Sequence, residues 1–206
     1  MPAIDYYFTL ISPWAYLGHR ALLDLVAKHR AELRYRPVML AKVFENSGAT
    51  SLAQRPKARK EYRFLELQRW RAKRNLPLNL QPKHFPTNPS LADRTVLALI
   101  DAGSDPGGFA EAVFRACWVE DRDIADRDVL ANVLAAAGHE AERLIQAAES
   151  EAVQKAYAEN TAEAVRLNAI GSPTYVLNGE VFWGQDRLEF LAQALESGRE
   201  PYRLPG

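Results

Sequence analysis

Hydrophobic positions bunch into short runs near both ends of the chain and spread into helical stripes between them. Ile4 to Ile11 is nearly continuous in apolarity and rich in β-branched and aromatic residues. That is the pattern of a strand covered on both faces. Ser12 and Pro13 then form a helix start, with Ser as the cap and Pro at the first helical position. Leu17, Ala21, Leu22, Leu25 and Val26 supply the apolar stripe of that helix. Leu33 to Leu40 alternates as a second strand. The opening predicts β-α-β, with the right-handed crossover that parallel strands require.

From about Lys42 to Glu149 the period is helical, punctuated at Pro77, at Pro86 and Pro89, and at Asp105-Pro-Gly-Gly108. Asn88 to Ala102, Gly108 to Glu120 and Asp126 to Ala137 have helical length. A basic helix runs from Lys57 to Arg74, with Tyr62, Phe64, Leu65, Leu67 and Trp70 interleaved. A long helix, Ser150 to Ala169, ends at Gly171. Pro173 to Leu177 and Val181 to Trp183 flank Asn178-Gly179, the strongest hairpin signal in the chain, and a last helix begins near Asp186. This order predicts an α/β, thioredoxin-like fold (β-α-β … α-β-β-α). Residues 1–41 and 150–206 form the thioredoxin-like domain, and residues 42–149 are a large all-helical insertion.

Composition excludes several function classes. With 48% hydrophobic and 25% charged residues, a sizeable core is expected and wholesale disorder is not. The formal net charge of zero argues against nucleic acid and membrane surfaces as partners, and the basic helix reads as amphipathic with one solvated face. No run approaches the roughly 18 apolar residues of a membrane span. The opening Met1-Pro-Ala-Ile-Asp5 lacks the pattern of a secretory signal, and a single cysteine, Cys117, rules out an intramolecular disulfide; both predict a cytoplasmic protein. Cys117 sits between Ala116 and Trp118 as a buried, inert thiol. The four histidines show no metal-ligand spacing, so no metal is expected.

Candidate chemistry centres on Ser12-Pro-Trp-Ala15, at the first strand–helix junction. Thioredoxin relatives carry Cys-x-x-Cys there, because the helix end offers unpaired N–H groups and partial positive charge to a thiolate. Ser12 and Ala15 replace both thiols, so a thiolate must arrive on a ligand, and glutathione is the obvious carrier. Ser12 would then donate a hydrogen bond to sulfur; as a simple helix cap it would do nothing more. Gly171-Ser-Pro-Thr-Tyr175 fits a cis-proline turn that exposes the Ser172 backbone to a peptide-like ligand, and equally a trans proline at a strand edge. Gln185 and Asp186 stand where either a helix cap or a receptor for a ligand ammonium is expected.

Taken in order, Phe8-Thr-Leu-Ile-Ser-Pro-Trp-Ala-Tyr-Leu-Gly18, Ser47-Gly48, Phe85-Pro-Thr-Asn88, Phe114-Arg-Ala-Cys-Trp118, Asp123-Ile-Ala-Asp126, Gly171-Ser-Pro-Thr174 and Phe182-Trp-Gly-Gln-Asp-Arg187 span essentially the whole chain. In these motifs the sequence resembles the 2-hydroxychromene-2-carboxylate isomerase family, kin of kappa-class glutathione transferases within the DsbA-like branch of the thioredoxin fold. The resemblance implies a homodimeric, glutathione-dependent isomerase of an aromatic hydroxy-oxo acid, with a kappa-like glutathione transferase or a non-catalytic glutathione- or peptide-binding module as the alternatives. Ser12 would activate glutathione, the Ser172 backbone beside Pro173 would bind its cysteinyl part, and Gln185 with Asp186 its γ-glutamyl end. Trp14, Tyr16 and Asn88 would line the site for the aromatic substrate. The chain departs from the pattern at Ser172, where a small aliphatic residue is common, and at Ala49, where kin often have Asn. It departs again at Arg59, where a lysine is expected; Arg59, Lys57 and Lys60 are the candidates for the glycyl carboxylate. Lacking a dithiol, the protein should show only background turnover in insulin reduction, and robust turnover would place the active site elsewhere.

Overall fold

The structure, a computed structural model, describes residues 1–203 and residue 205. Strand β1 (Ala3–Phe8) pairs in parallel with β2 (Glu32–Pro37) and antiparallel with β3 (Thr174–Leu177). Strand β4 (Glu180–Trp183) closes the order β2-β1-β3-β4. Helix α1 (Pro13–His29) makes the crossover between β1 and β2. The β3–β4 turn is built from Asn178 and Gly179, with φ of 51° and 84°, as a tight hairpin of matching twist demands.

Both early strands stop sooner than the apolar pattern predicts. β1 ends at Phe8 instead of Ile11, because the Leu10 N–H is taken by a carboxylate from outside the sheet and the Ser12 N–H turns back to the Thr9 carbonyl at 3.1 Å. β2 ends at Pro37 instead of Leu40. Thr161 Oγ1 accepts the Met39 N–H at 3.0 Å and Leu40 opens helix α2 (Leu40–Ser47).

The helices between the two halves of the sheet are α3 (Lys57–Arg74), α4 (Ser90–Asp101), α5 (Gly107–Trp118), α6 (Arg127–Ala136) and α7 (Ala141–Ala148). α7, which periodicity did not separate from the helical block, buries Leu144, Ile145 and Ala148. Helix α8 (Glu151–Arg166) precedes β3. A 3₁₀ turn (Gln185–Arg187) and helix α9 (Leu188–Ser197) follow β4. Ile4, Tyr6 and Phe8 point into a core shared with α1, α4, α5, α6, α7 and α9. Tyr7 points to the other face, with Val38, Val43 and Ala164. That alternation explains the unbroken apolarity of the first strand.

Helix α3 turns a different face inward from the one its apolar residues suggest. Tyr62 and Leu65 are exposed, whereas Arg63 and Leu67 are buried, with Trp70 and Arg74 half-buried beside them. Positions 63, 67, 70 and 74 form one helical stripe, so the inward face carries an arginine at each end.

Gly18 fixes how closely α1 meets the turn after β4. A Cβ there would lie 2.5 Å from Gln185 Cβ and 3.1 Å from Tyr175 Oη. Neither neighbour is the free end of a flexible chain, so Gly18→Ala should destabilise by about 1–3 kcal/mol in urea denaturation, despite its better helix propensity. An unchanged or raised midpoint would show that the contact is not tight.

Candidate functional site

Ser12 is the N-cap of α1, with extended backbone (φ −81°, ψ 119°). Its Oγ accepts the Ala15 N–H at 3.2 Å and donates to the Ser172 carbonyl at 3.0 Å. The Ser172–Pro173 peptide is cis, which resolves the choice between the two turn geometries. Ser172 Oγ in turn accepts the Thr9 N–H at 3.2 Å, a bond that a small aliphatic residue would not supply. Among the described residues, no acceptor is bonded to the N–H of Trp14 or of Ser172. Two unpaired donors therefore stand on the two segments that the Ser12–Ser172 bond joins, one of them at the positive end of a 17-residue helix. This donor set suits a ligand that offers a thiolate together with peptide groups, and the residues present fit glutathione.

Beneath this junction lies a carboxylate that sequence reasoning missed. Asp93 of α4 is fully buried. Its Oδ2 accepts from Thr9 Oγ1 at 2.7 Å and from Tyr157 Oη at 2.9 Å, and its Oδ1 accepts from the Leu10 N–H at 2.8 Å. Burial pushes its carboxyl up to about 7, against the downward pull of those three donors. The one signal in the sequence was an acidic residue on the helical stripe of Val96 and Leu97.

The other candidates are placed as follows. Gln185 is buried, and its Oε1 accepts from Arg74 Nη2 at 3.0 Å and Nε at 3.2 Å. Asp186 does not cap α9; its carboxylate pairs with Arg187 at 2.8 Å and remains partly exposed. Both border an open cavity of about 210 Å³ between α1, α3 and α9. Gly184, at φ 103°, lets this segment leave β4. Trp14 is half-buried against the core. Tyr16 is buried, and its hydroxyl donates to the Pro77 carbonyl at 2.7 Å, so it ties α1 to the loop after α3. Asn88 is exposed and accepts from the Ser90 N–H at 3.0 Å and Ser90 Oγ at 2.7 Å, at the start of α4. Of the three candidate cations, Lys57 pairs with Glu61 at 3.4 Å and Lys60 donates to the Ala53 carbonyl at 2.7 Å. Arg59 is exposed, with no ion pair recorded among the described residues. Burial pushes the Cys117 thiol up to about 12, which keeps it unreactive. No group of three or more possible metal ligands occurs among the described residues, and no helix there is long and apolar enough to cross a membrane.

A helix start facing a cis-proline turn, on a β-α-β … β-β-α frame with helices between, defines a thioredoxin-class site in which serine and alanine occupy the thiol positions. The family model of the DSBA-like thioredoxin domain matches residues 3–196. A 2-hydroxychromene-2-carboxylate isomerase from Sphingobium xenophagum is 31% identical over 93% of this chain and 97% of its own length. Glutathione S-transferase kappa 1 from Rattus norvegicus is 24% identical, over 93% of this chain and 90% of its own. A solved 2-hydroxychromene-2-carboxylate isomerase superposes with a TM-score of 0.79 at 28% identity, covering 95% of each chain. The chain belongs to the DsbA-like thioredoxin family and, within it, to the 2-hydroxychromene-2-carboxylate isomerase family.

Asp93 gives the fold a signature in pH. A carboxyl whose folded value, about 7, lies above its unfolded value contributes stability that is complete below about 4. That contribution is lost as pH rises through 7. The difference in unfolding free energy between wild type and Asp93→Asn, measured in urea, should therefore fall between about pH 4 and pH 7, by no more than about 4 kcal/mol. A difference that is flat with pH would mean that Asp93 ionises as it does in the unfolded chain.

Proposed function

We propose that the protein is a glutathione-dependent isomerase acting on an aromatic hydroxy-oxo acid. The observation that carries this reading is the Ser12 hydroxyl, held 3.0 Å from the carbonyl of the cis-proline turn at a helix end that has no thiol of its own. Glutathione supplies, when bound, a thiolate able to add reversibly to an unsaturated carbon, which turns a restricted double bond into a rotatable single one without net redox change. The names of the relatives support both the isomerase and the glutathione parts of the reading.

The residues' own tasks follow from their free valences. Ser172 offers a carbonyl and an N–H to a peptide-like ligand laid along the turn. An incoming N–H on that carbonyl displaces the Ser12 proton, and the hydroxyl is then free to rotate toward sulfur. Ser12 Oγ keeps the Ala15 N–H throughout, so the cap survives the exchange. The Trp14 N–H and the helix end add to the stabilisation of negative charge. Gln185 and Asp186 are assigned to the γ-glutamyl end, with Gln185 oriented by Arg74. Arg59 is assigned to the glycyl carboxylate. Trp14 and Asn88 remain the side chains assigned to the aromatic substrate, whereas Tyr16 supports them from the core. The active unit is assigned as a homodimer in the cytoplasm.

Two measurements test this. Calorimetry should show glutathione binding, and product analysis on 2-hydroxychromene-2-carboxylate should return glutathione unchanged. Consumption of glutathione would instead favour the conjugating chemistry in the kappa relatives' name. Ser12→Ala should raise the pKa of bound glutathione, read by thiolate ultraviolet absorbance. It should slow thiolate-dependent turnover roughly ten- to two-hundred-fold, from the loss of about 1.5–3 kcal/mol. Identical titrations and rates in the two proteins would reduce Ser12 to a helix cap.

A further inference from the structure

The inward stripe of α3 ends in Arg63, and the site described above leaves this residue without a task. Arg63 is only 8% exposed, yet no hydrogen bond or ion pair to its guanidinium occurs among the described residues. Its recorded neighbour is the Phe85 ring, with Cζ 5.5 Å from the centroid. Phe85 itself packs on Trp118 at 4.9 Å. The sealed, partnerless polar atoms of the described residues belong to Tyr6, His19, His29, Trp118 and Tyr175, so every Arg63 nitrogen still reaches an opening. A nearly buried guanidinium without a counter-charge is costly, and burial first, then the charge of Arg55, pushes it down to about 10.

Arg55, whose charge is felt at Arg63, stands beside the cis-proline turn. Its guanidinium lies 5.9 Å from the centroid of Phe44, and Phe44 Cε1 is 3.5 Å from where a Cβ on Gly171 would stand. Gly171 directly precedes Ser172. Arg55 gives one bond to the Thr50 carbonyl at 3.1 Å and has no ion pair among the described residues. Arg55 and Phe44 thus stand beside the turn, Arg63 and Phe85 form a second cation–ring pair, and neither arginine has an ion pair among the described residues. A guanidinium's planar fork suits a carboxylate, and an aromatic ring beside it suits an aryl group.

We propose that Arg63, with Arg55 behind it, seats the carboxylate of the aromatic co-substrate, while Phe85 lies against its ring. The inference rests on the glutathione-dependent isomerase reading and adds the residue that selects an acid over a neutral analogue. The assignment for glutathione's own glycyl carboxylate stays with Arg59.

The test is a binding measurement that needs no turnover. Tryptophan fluorescence titrations with 1-naphthoate and with 1-naphthamide, with and without saturating glutathione, would be run on wild type, Arg63→Met and Arg63→Lys. Glutathione affinity would be measured by calorimetry on the same three proteins. Wild type should prefer naphthoate by roughly ten- to two-hundred-fold, the worth of one charge-assisted contact. Arg63→Met should abolish the preference and leave glutathione affinity within about twofold. Arg63→Lys, which keeps the charge, should retain part of the preference and answers the question if the Met variant fails to fold. A preference that survives in Arg63→Met overturns the proposal. Loss of glutathione affinity with naphthoate preference intact also overturns it, since the carboxylate seated would then be glutathione's own. Absence of glutathione binding to wild type would instead remove the isomerase reading, and the naphthoate titrations without glutathione would still decide what Arg63 does.

Discussion

Asp93 reaches from α4 into the place where β1 stops being a strand, and three donors converge on it there. Thr9 and Leu10 belong to the segment that delivers Ser12, and Tyr157 belongs to α8. A buried carboxylate is expensive unless its lone pairs are filled, so each donor is held as firmly as it holds the acid. The helical block is thereby tied to the strand end by side-chain oxygen as well as by apolar packing. Release of Asp93 would free the backbone of Leu10 to continue the ladder, and Ser12 would lose its angle to the cis-proline turn.

From that anchor a short chain of bonds runs to the surface. Thr9 gives its N–H to Ser172 Oγ, and Ser172 takes the Ser12 proton on its carbonyl. Ser172 therefore holds the loop with its side chain and offers its main chain to whatever docks. In the free protein the Ser12 hydroxyl satisfies a carbonyl that would otherwise be buried and unpaired. Under the proposed function, a ligand N–H on the same carbonyl would relieve that hydroxyl of its task, and docking would then be coupled to stabilisation of a thiolate.

The order of the strands, the crossover helix, the hairpin and the helical character of the middle block were legible because each depends on local pattern. Ser12-Pro13 showed its role as a cap, and Asn178-Gly179 its turn, since both are settled within four residues. What stayed hidden depends on contacts across the chain. The early end of β1 follows from a carboxylate 83 residues away. Gln185 reads as a free amide until Arg74 is seen to hold it, and Tyr16 reads as a pocket wall until Pro77 is seen to accept its hydroxyl. Which face of α3 turns inward stayed hidden for a related reason. Its large apolar residues are spread around the helix, Tyr62 and Leu65 fall on the side away from the core, and helical phase outranks hydrophobicity when only one stripe can be buried.

Helix α3 consequently presents an apolar centre, Leu67 and Trp70, between two inward arginines whose circumstances differ. Arg74 spends its donors on Gln185, where a neutral amide accepts them without cancelling the charge. Arg63 has an aromatic ring and no acceptor. Two cations kept uncompensated along one buried stripe are hard to explain by stability, because apolar residues of like volume would pack there at lower electrostatic cost. They make sense if the counter-charges arrive with ligands, one at each end of the helix. Asp186, whose carboxylate pairs with Arg187, lines the same cavity as Arg74, so that end carries both signs. The Arg63 end carries one sign and two rings, the complement of an aromatic acid.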